Sequence, residues 1–106
     1  MRVSITHDKG QQEARRIVDK SADELIQSVA AGPVRIQDAT KKWTGDTMAF
    51  SFHAKMGLFG ATIHGTVEVH EKDVVIDVEL PGLVKKFVAE DKIRAALETK
   101  GKGLLA

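Results

Sequence analysis

The sequence predicts an α+β fold: a two-layer sandwich of order βαββββα, an antiparallel sheet of four to five strands with two helices on one face. Three observations predict it. Apolar residues recur at three- and four-residue intervals from Gln11 to Ala31, they alternate from Thr47 to Leu80, and a looser helical spacing follows from Leu83 to Leu97. A sheet with one apolar face needs a cover, and two amphipathic helices supply it.

Val3 and Ile5, two residues apart, share one face of a first strand over Arg2 to Thr6. Asp8 stands three residues before Gln11, the spacing of a helix cap whose oxygen accepts an amide hydrogen bond. In the helix that follows, Ala14, Ile17, Val18, Ala22, Leu25, Ile26 and Val29 form the core-facing stripe, with Arg15, Arg16, Asp19, Lys20 and Asp23 opposite. Gly32 and Pro33 end it, because glycine tolerates a left-handed cap and proline cannot continue the ladder. Val34 and Ile36 suggest a short second strand, which Asp38 and the polar run to Lys42 obscure.

Met48, Phe50 and Phe52, then Ala61, Ile63, Gly65, Val67 and Val69, then Val74, Ile76, Val78 and Leu80 alternate as three consecutive strands. A loop over Lys55 to Leu58 sets Phe52 opposite Ala61, Phe50 opposite Ile63, His53 opposite Gly60 and His64 opposite Ala49. A second loop, His70 to Asp73, pairs Val69 with Val74 and Val67 with Ile76. Pro81 and Gly82 break the last strand before a second helix with an irregular first turn. Residues 1–100 are expected as a single domain and 101–106 as a flexible tail, which frays unless Leu104 and Leu105 dock on the body.

A chain of 106 residues has room for one core, and its 42% hydrophobic and 29% charged residues suit a globular domain rather than a disordered chain or a rod. With 16 Lys plus Arg against 15 Asp plus Glu, the formal charge of +1 provides no broad drive toward nucleic acid, which is not expected as a partner. The lack of cysteine excludes disulfides, thiolate metal sites and a cysteine nucleophile. No apolar run reaches the ~18 residues of a transmembrane segment, and the opening MRVSITHDKG lacks the apolar stretch of a signal peptide, so a cytoplasmic location is expected.

Reactive groups are sparse in pattern. His7, His53, His64 and His70 have no HExxH or comparable spacing, so no metal is expected. None of Ser4, Ser21, Ser28 or Ser51 sits in a nucleophile motif, and Ser21 falls within the core-facing stripe. Gly57, Gly60 and Gly65 build no phosphate-cradling loop, and neither does Lys100-Gly101-Lys102-Gly103, so no cofactor is expected. Asp77 and Glu79 alternate on an outer sheet face, where a carboxylate pair does acid and base work only inside a cleft.

Two features remain as candidate contact surfaces. Trp43, Gly45 and Asp46 form either a turn, with the indole covering the edge of the core and the aspartate bonding nearby amides, or an exposed aromatic anchor for a partner. Lys85, Lys86, Lys92, Arg94, Lys100 and Lys102 outnumber Glu90, Asp91 and Glu98, a pattern read either as a solvated helix face or as a basic amphipathic helix for an anionic surface. The mixed polar outer sheet face offers a further protein contact, and an unpaired edge strand on either side offers a homodimer contact.

In order along the chain, His7 and Gly10 before a helix with Ala14-Arg15, then Trp43-Thr44-Gly45-Asp46, Phe50, Gly65 with Val67 and Val69, Leu80-Pro81, Phe87 and Lys92-Ile93 resemble the polyhydroxyalkanoic acid system proteins. The likeness spans nearly the whole chain, and the Phe87 to Ile93 interval is longer than the family's usual one. The resemblance implies a small bacterial protein linked with polyester storage granules, in granule formation or its regulation, and it brings no catalytic residues.

Three readings follow. The first is a non-enzymatic accessory domain that binds a protein of the polyhydroxyalkanoate system or the granule surface through Trp43, Asp46, Lys85, Lys86, Lys92 and Arg94 or the outer sheet face. The alternative is a carrier whose sheet, bent at Gly60 and Gly65, leaves an acyl-chain cavity lined by Phe50, Phe52, Ile63 and Leu25. The third is a hydroxyacyl enzyme using His64 with Asp77 or Glu79.

Overall fold

The computed structural model describes residues 1–29, 34–87 and 89–106, and at 29, 83, 86 and 87 the backbone alone. Its elements are β1 (Arg2–Thr6), α1 (Gln11–Lys20), α2 (Ala22–Val29), β2 (Arg35–Thr44), β3 (Thr47–Met56), β4 (Phe59–Val69), β5 (Asp73–Glu79), α3 (Gly82–Phe87) and α4 (Glu90–Leu105). The five strands form one antiparallel sheet in the spatial order β1-β5-β4-β3-β2. The α+β two-layer architecture is the one the sequence predicts, with each expected helix divided in two.

The first division is a bend. Ser21 adopts φ −103° and ψ 11°, yet its N–H still donates to Ile17 O at 2.9 Å and its carbonyl still accepts from Leu25 N at 3.0 Å. The hydrogen-bond ladder therefore passes through the bend, and Ala14 and Val18 before it and Ala22, Leu25 and Ile26 after it are all buried. Ser21 lies buried among them, as the stripe predicts. The expected stop at Gly32 and Pro33 lies outside the described residues.

The helix start differs from the expected cap. Gly10, not Asp8, is the N-cap, and no side chain of that residue can close the first turn. Glu71, from the turn between β4 and β5, accepts from Gln11 N at 3.4 Å instead. A long-range carboxylate thus stands where a local one was expected.

The hairpin of β3 and β4 turns over two residues, Gly57 and Leu58, with Gly57 at φ 62°. Glycine at the first central position matches the twist of a tight hairpin, which a four-residue loop does not require. Phe52 therefore faces Ile63, Phe50 faces Gly65, His53 faces Thr62 and His64 faces Ser51, each pairing moved by two residues from the expected register. A two-residue shift preserves parity, so the same side chains remain inside. The other hairpin pairs Val69 with Val74 and Val67 with Ile76, as expected.

β2 is longer than the expected short strand. A bulge between Gln37 and Thr40, with Asp38 at φ 54°, absorbs one extra residue and lets pairing resume to Thr44. As an edge strand it is exposed for most of its length, which is why its polar run is compatible with pairing. At the opposite edge, Arg94 Nη1 donates to Arg2 O at 2.6 Å, occupying one of the carbonyls that β1 presents outward.

α4 continues through Gly101 to Leu105, and both of these residues are buried. Residues 101–105 thus continue the helix. Gly101 lets the helix approach β1 closely, because a Cβ there would overlap Ile5 Cδ1. The inner sheet face, α1, α2 and α4 enclose a core that includes Phe52, Ile5, Met48, Ile63, Ile93 and Leu97.

Candidate functional site

Trp43 points inward from the edge strand β2 and is half-buried against the core. Its Nε1–H donates to Asp19 Oδ1 at 2.8 Å, and the Arg15 guanidinium lies 4.3 Å from the centre of its ring. Lys41 Nζ donates to Asp19 O at 2.8 Å and lies 3.1 Å from Asp19 Oδ1. The Trp43 hydrogen bond and the Lys41 ammonium hold the Asp19 carboxyl below its ordinary value. The indole is thus committed to α1, which is the edge-covering alternative.

Asp46 continues the same attachment. Its carboxylate accepts from Gln11 Nε2 at 3.0 Å and lies 3.9 Å from Arg15 Nε, while Gln11 Nε2 also reaches Val69 O at 3.0 Å. Its acceptor role is directed to a helix side chain rather than to the adjacent backbone amides. Gly45 takes φ 61° at the first central position of the turn between β2 and β3, supplying the positive φ expected of it. The Trp43-Thr44-Gly45-Asp46 stretch therefore closes a hairpin and ties its turn to α1.

The basic residues occupy different settings among the described residues. Lys85 is exposed on α3 and Lys92 on α4, whereas Arg94 is half-buried and bonded to Arg2 O. Lys92 and Arg94 are two residues apart on one helix, which places them on different sides of it. Lys100 Nζ pairs with Glu24 Oε2 at 2.7 Å, and the side chain of Lys86 lies outside the described residues.

The four histidines occupy different settings. His7 is buried: its Nδ1 accepts from Lys9 N at 3.1 Å, and its Nε2 lies 3.1 Å from His70 O, which it serves as donor in the matching tautomer. It clasps the loop after β1 to the turn before β5. His64 borders an open depression of about 370 Å³ with Asp77 and Glu79, floored by Phe50 and Gly65. Among the described residues no group of three or more His, Asp or Glu stands close enough to hold a metal ion.

Two voids between the layers measure about 10 Å³ each, one of them lined in part by Leu25 and Phe50. A small-ligand cavity is ~300 Å³ or more, far larger than either of these two voids.

A surface feature absent from the sequence expectations stands at the β3–β4 turn. Leu58 is 99% exposed and Phe59 54% exposed, the two large apolar side chains among the described residues that face solvent in this way. The sequence carried a signal: Gly57-Leu58-Phe59-Gly60 places an apolar pair in a turn, where polar residues are the rule. On the outer face just behind this tip, Lys55 pairs with Arg35 of β2, and His53 follows in the next pairing.

Among the described residues no helix is long and apolar enough to cross a membrane. The sequence model of a family described as "putative polyhydroxyalkanoic acid system protein" matches residues 1–104. No curated protein and no solved structure matches the chain.

Proposed function

Since the chain belongs to the polyhydroxyalkanoic acid system protein family, we propose that it is a non-enzymatic accessory protein of polyester storage, acting in the cytoplasm by binding a system protein or the granule surface. The observation that carries this reading is the solvent-facing apolar pair at the β3–β4 turn, Leu58 and Phe59. Exposed apolar side chains cost free energy in water, and burying them against a partner recovers it. The open setting of His64, Asp77 and Glu79 also supports a binding role, since acid–base chemistry gains most where water is excluded.

Density-gradient fractionation of cells that accumulate polyester, with the tagged full chain, tests the reading. The chain is expected to sediment with the granules, or with a system protein captured by the tag. A chain that stays in the soluble fraction whether or not granules are present, and captures no system protein, overturns it. Trp43→Ala, which removes the half-buried indole with its bond to Asp19 and its contact with Arg15, is compared alongside.

A further inference from the structure

We propose that the tip of the β3–β4 hairpin is an anchor for an anionic phospholipid surface, into which Leu58 and Phe59 insert while Arg35 and Lys55 meet the headgroups. The proposal deepens the preceding one and rests on its reading of the tip as a docking element.

Three features of the tip carry it. The apex is apolar and projects: Leu58 is the second central residue of a two-residue turn, exposed over 99% of its surface, with glycines on either side of the Leu58-Phe59 pair. The flank is cationic: Arg35 and Lys55 are cross-strand partners, both exposed, and neither has an ion-pair partner among the described residues. The outer-face carboxylates of β4 and β5 also lie away from the tip. His53, Thr62 and Gln37 follow Arg35 and Lys55 on the outer face, with Asp38 in the bulge beside Gln37, and Glu79, Asp77 and Glu68 come beyond them in rows that also hold Lys42 and Arg2. An anionic surface approaching the hairpin end meets the Arg35 and Lys55 pair first.

Area and shape favour a lipid surface over a protein or a second copy of the chain. A stable protein interface buries ~800 Å² on each partner, and one aromatic side chain contributes ~150–250 Å². A convex apex of one leucine and one phenylalanine falls short of that area, and two such tips would bring Arg35 and Lys55 of both copies together. A fluid interface needs no complementary pocket, so a small convex apolar apex bordered by cations suffices.

Flotation of the full chain with vesicles tests the proposal, using phosphatidylglycerol mixed with phosphatidylcholine and, separately, phosphatidylcholine alone. The chain is expected to float with the mixed vesicles and much less with phosphatidylcholine. L58S/F59T should weaken flotation by ~10-fold or more through lost apolar burial. R35Q/K55Q should weaken it by ~10-fold or more at low salt, at roughly one surface-bound cation's attraction per residue. L58W should retain binding and shift its added fluorescence to the blue on the mixed vesicles, a readout that does not depend on the loss variants folding.

Equal flotation of the wild type and L58S/F59T overturns the proposal, as does no flotation of a folded wild type. Sedimentation that reveals a dimer dissociated by L58S, without vesicle binding, assigns the tip to self-association and also overturns it. Flotation failing while granule fractionation succeeds removes the lipid anchor and leaves the accessory role. The reverse result removes that role and leaves the anchor.

Discussion

Trp43 Nε1 donates to Asp19 Oδ1 across the gap between the edge strand β2 and helix α1, at 2.8 Å. Trp43, which the sequence offers either as a cover for the edge of the core or as a partner anchor, is here a strut between the two layers. Its environment has a measurable electrostatic signature.

Trp43→Phe keeps a large ring and removes the N–H, so the Asp19 carboxyl should titrate closer to its ordinary value of 3.8, still lowered in part by Lys41. The folded-state value lies below the unfolded one, so the stabilisation is fully present above the unfolded value and is lost as pH falls through the folded value. The wild type and Trp43→Phe should therefore differ more in stability at neutral pH than in strong acid. Side-chain carboxyl NMR titration with parallel urea unfolding checks both, and an unchanged Asp19 titration would contradict the assignment.

Gly65 and Gly60 should respond unequally to alanine. A Cβ on Gly65 would overlap the Phe50 ring and lie 2.7 Å from the Asp77 backbone oxygen, which cannot rotate away. Gly65→Ala is expected to cost ~1–3 kcal/mol, the range of overpacked cores. A Cβ on Gly60 meets the His53 imidazole at 2.6 Å, a side chain on the outer face that is free to turn. Gly60→Ala should stay within about 0.5 kcal/mol of wild type in denaturant melts.

Gly101 and Ile5 should be coupled. Gly101→Ala gains ~1 kcal/mol of helix propensity, against an overlap with Ile5 Cδ1 that is expected to cost ~1–3 kcal/mol. Ile5→Val removes that methyl and alone costs ~0.5–1.5 kcal/mol. The double variant should be more stable than the sum of the single effects, by ~0.5 kcal/mol or more. Strict additivity in a double-mutant cycle would place the helix further from β1 than it is here.

His7→Phe preserves a buried ring while leaving Lys9 N and His70 O without their partner. The expected loss is ~1–3 kcal/mol, as for other unsatisfied buried polar groups. Amide hydrogen exchange should accelerate at Lys9 more than in the sheet centre. Exchange unchanged at Lys9 would mean that the clasp does not hold the loop.

Much of the fold was legible because it depends on parity and periodicity. Phe50, Phe52, Ile63 and Val67 alternate with polar neighbours, so they face inward whether the hairpin turns over four residues or two. The actual register needed the turn geometry, where Gly57 at φ 62° closes the chain two residues tighter than the pattern required. The helix cap differs from the expected one for a related reason. Asp8 has the right local spacing, but Glu71 is brought to Gln11 by the sheet, and sequence distance does not reveal it.

The candidate surface divides in the same way. Composition and spacing by themselves determined an α+β chain, with a parity that selects the core and with a resemblance to its family. Only the tertiary structure decided that Trp43 turns inward to Asp19, that Arg94 is used up on Arg2, and that Leu58 and Phe59 stand outside. The physical reason is that a side chain's hydropathy is local, whereas its exposure depends on which distant elements arrive to cover it. Asp19 arrives at Trp43, and Leu58, at the apex of its turn, stays in solvent.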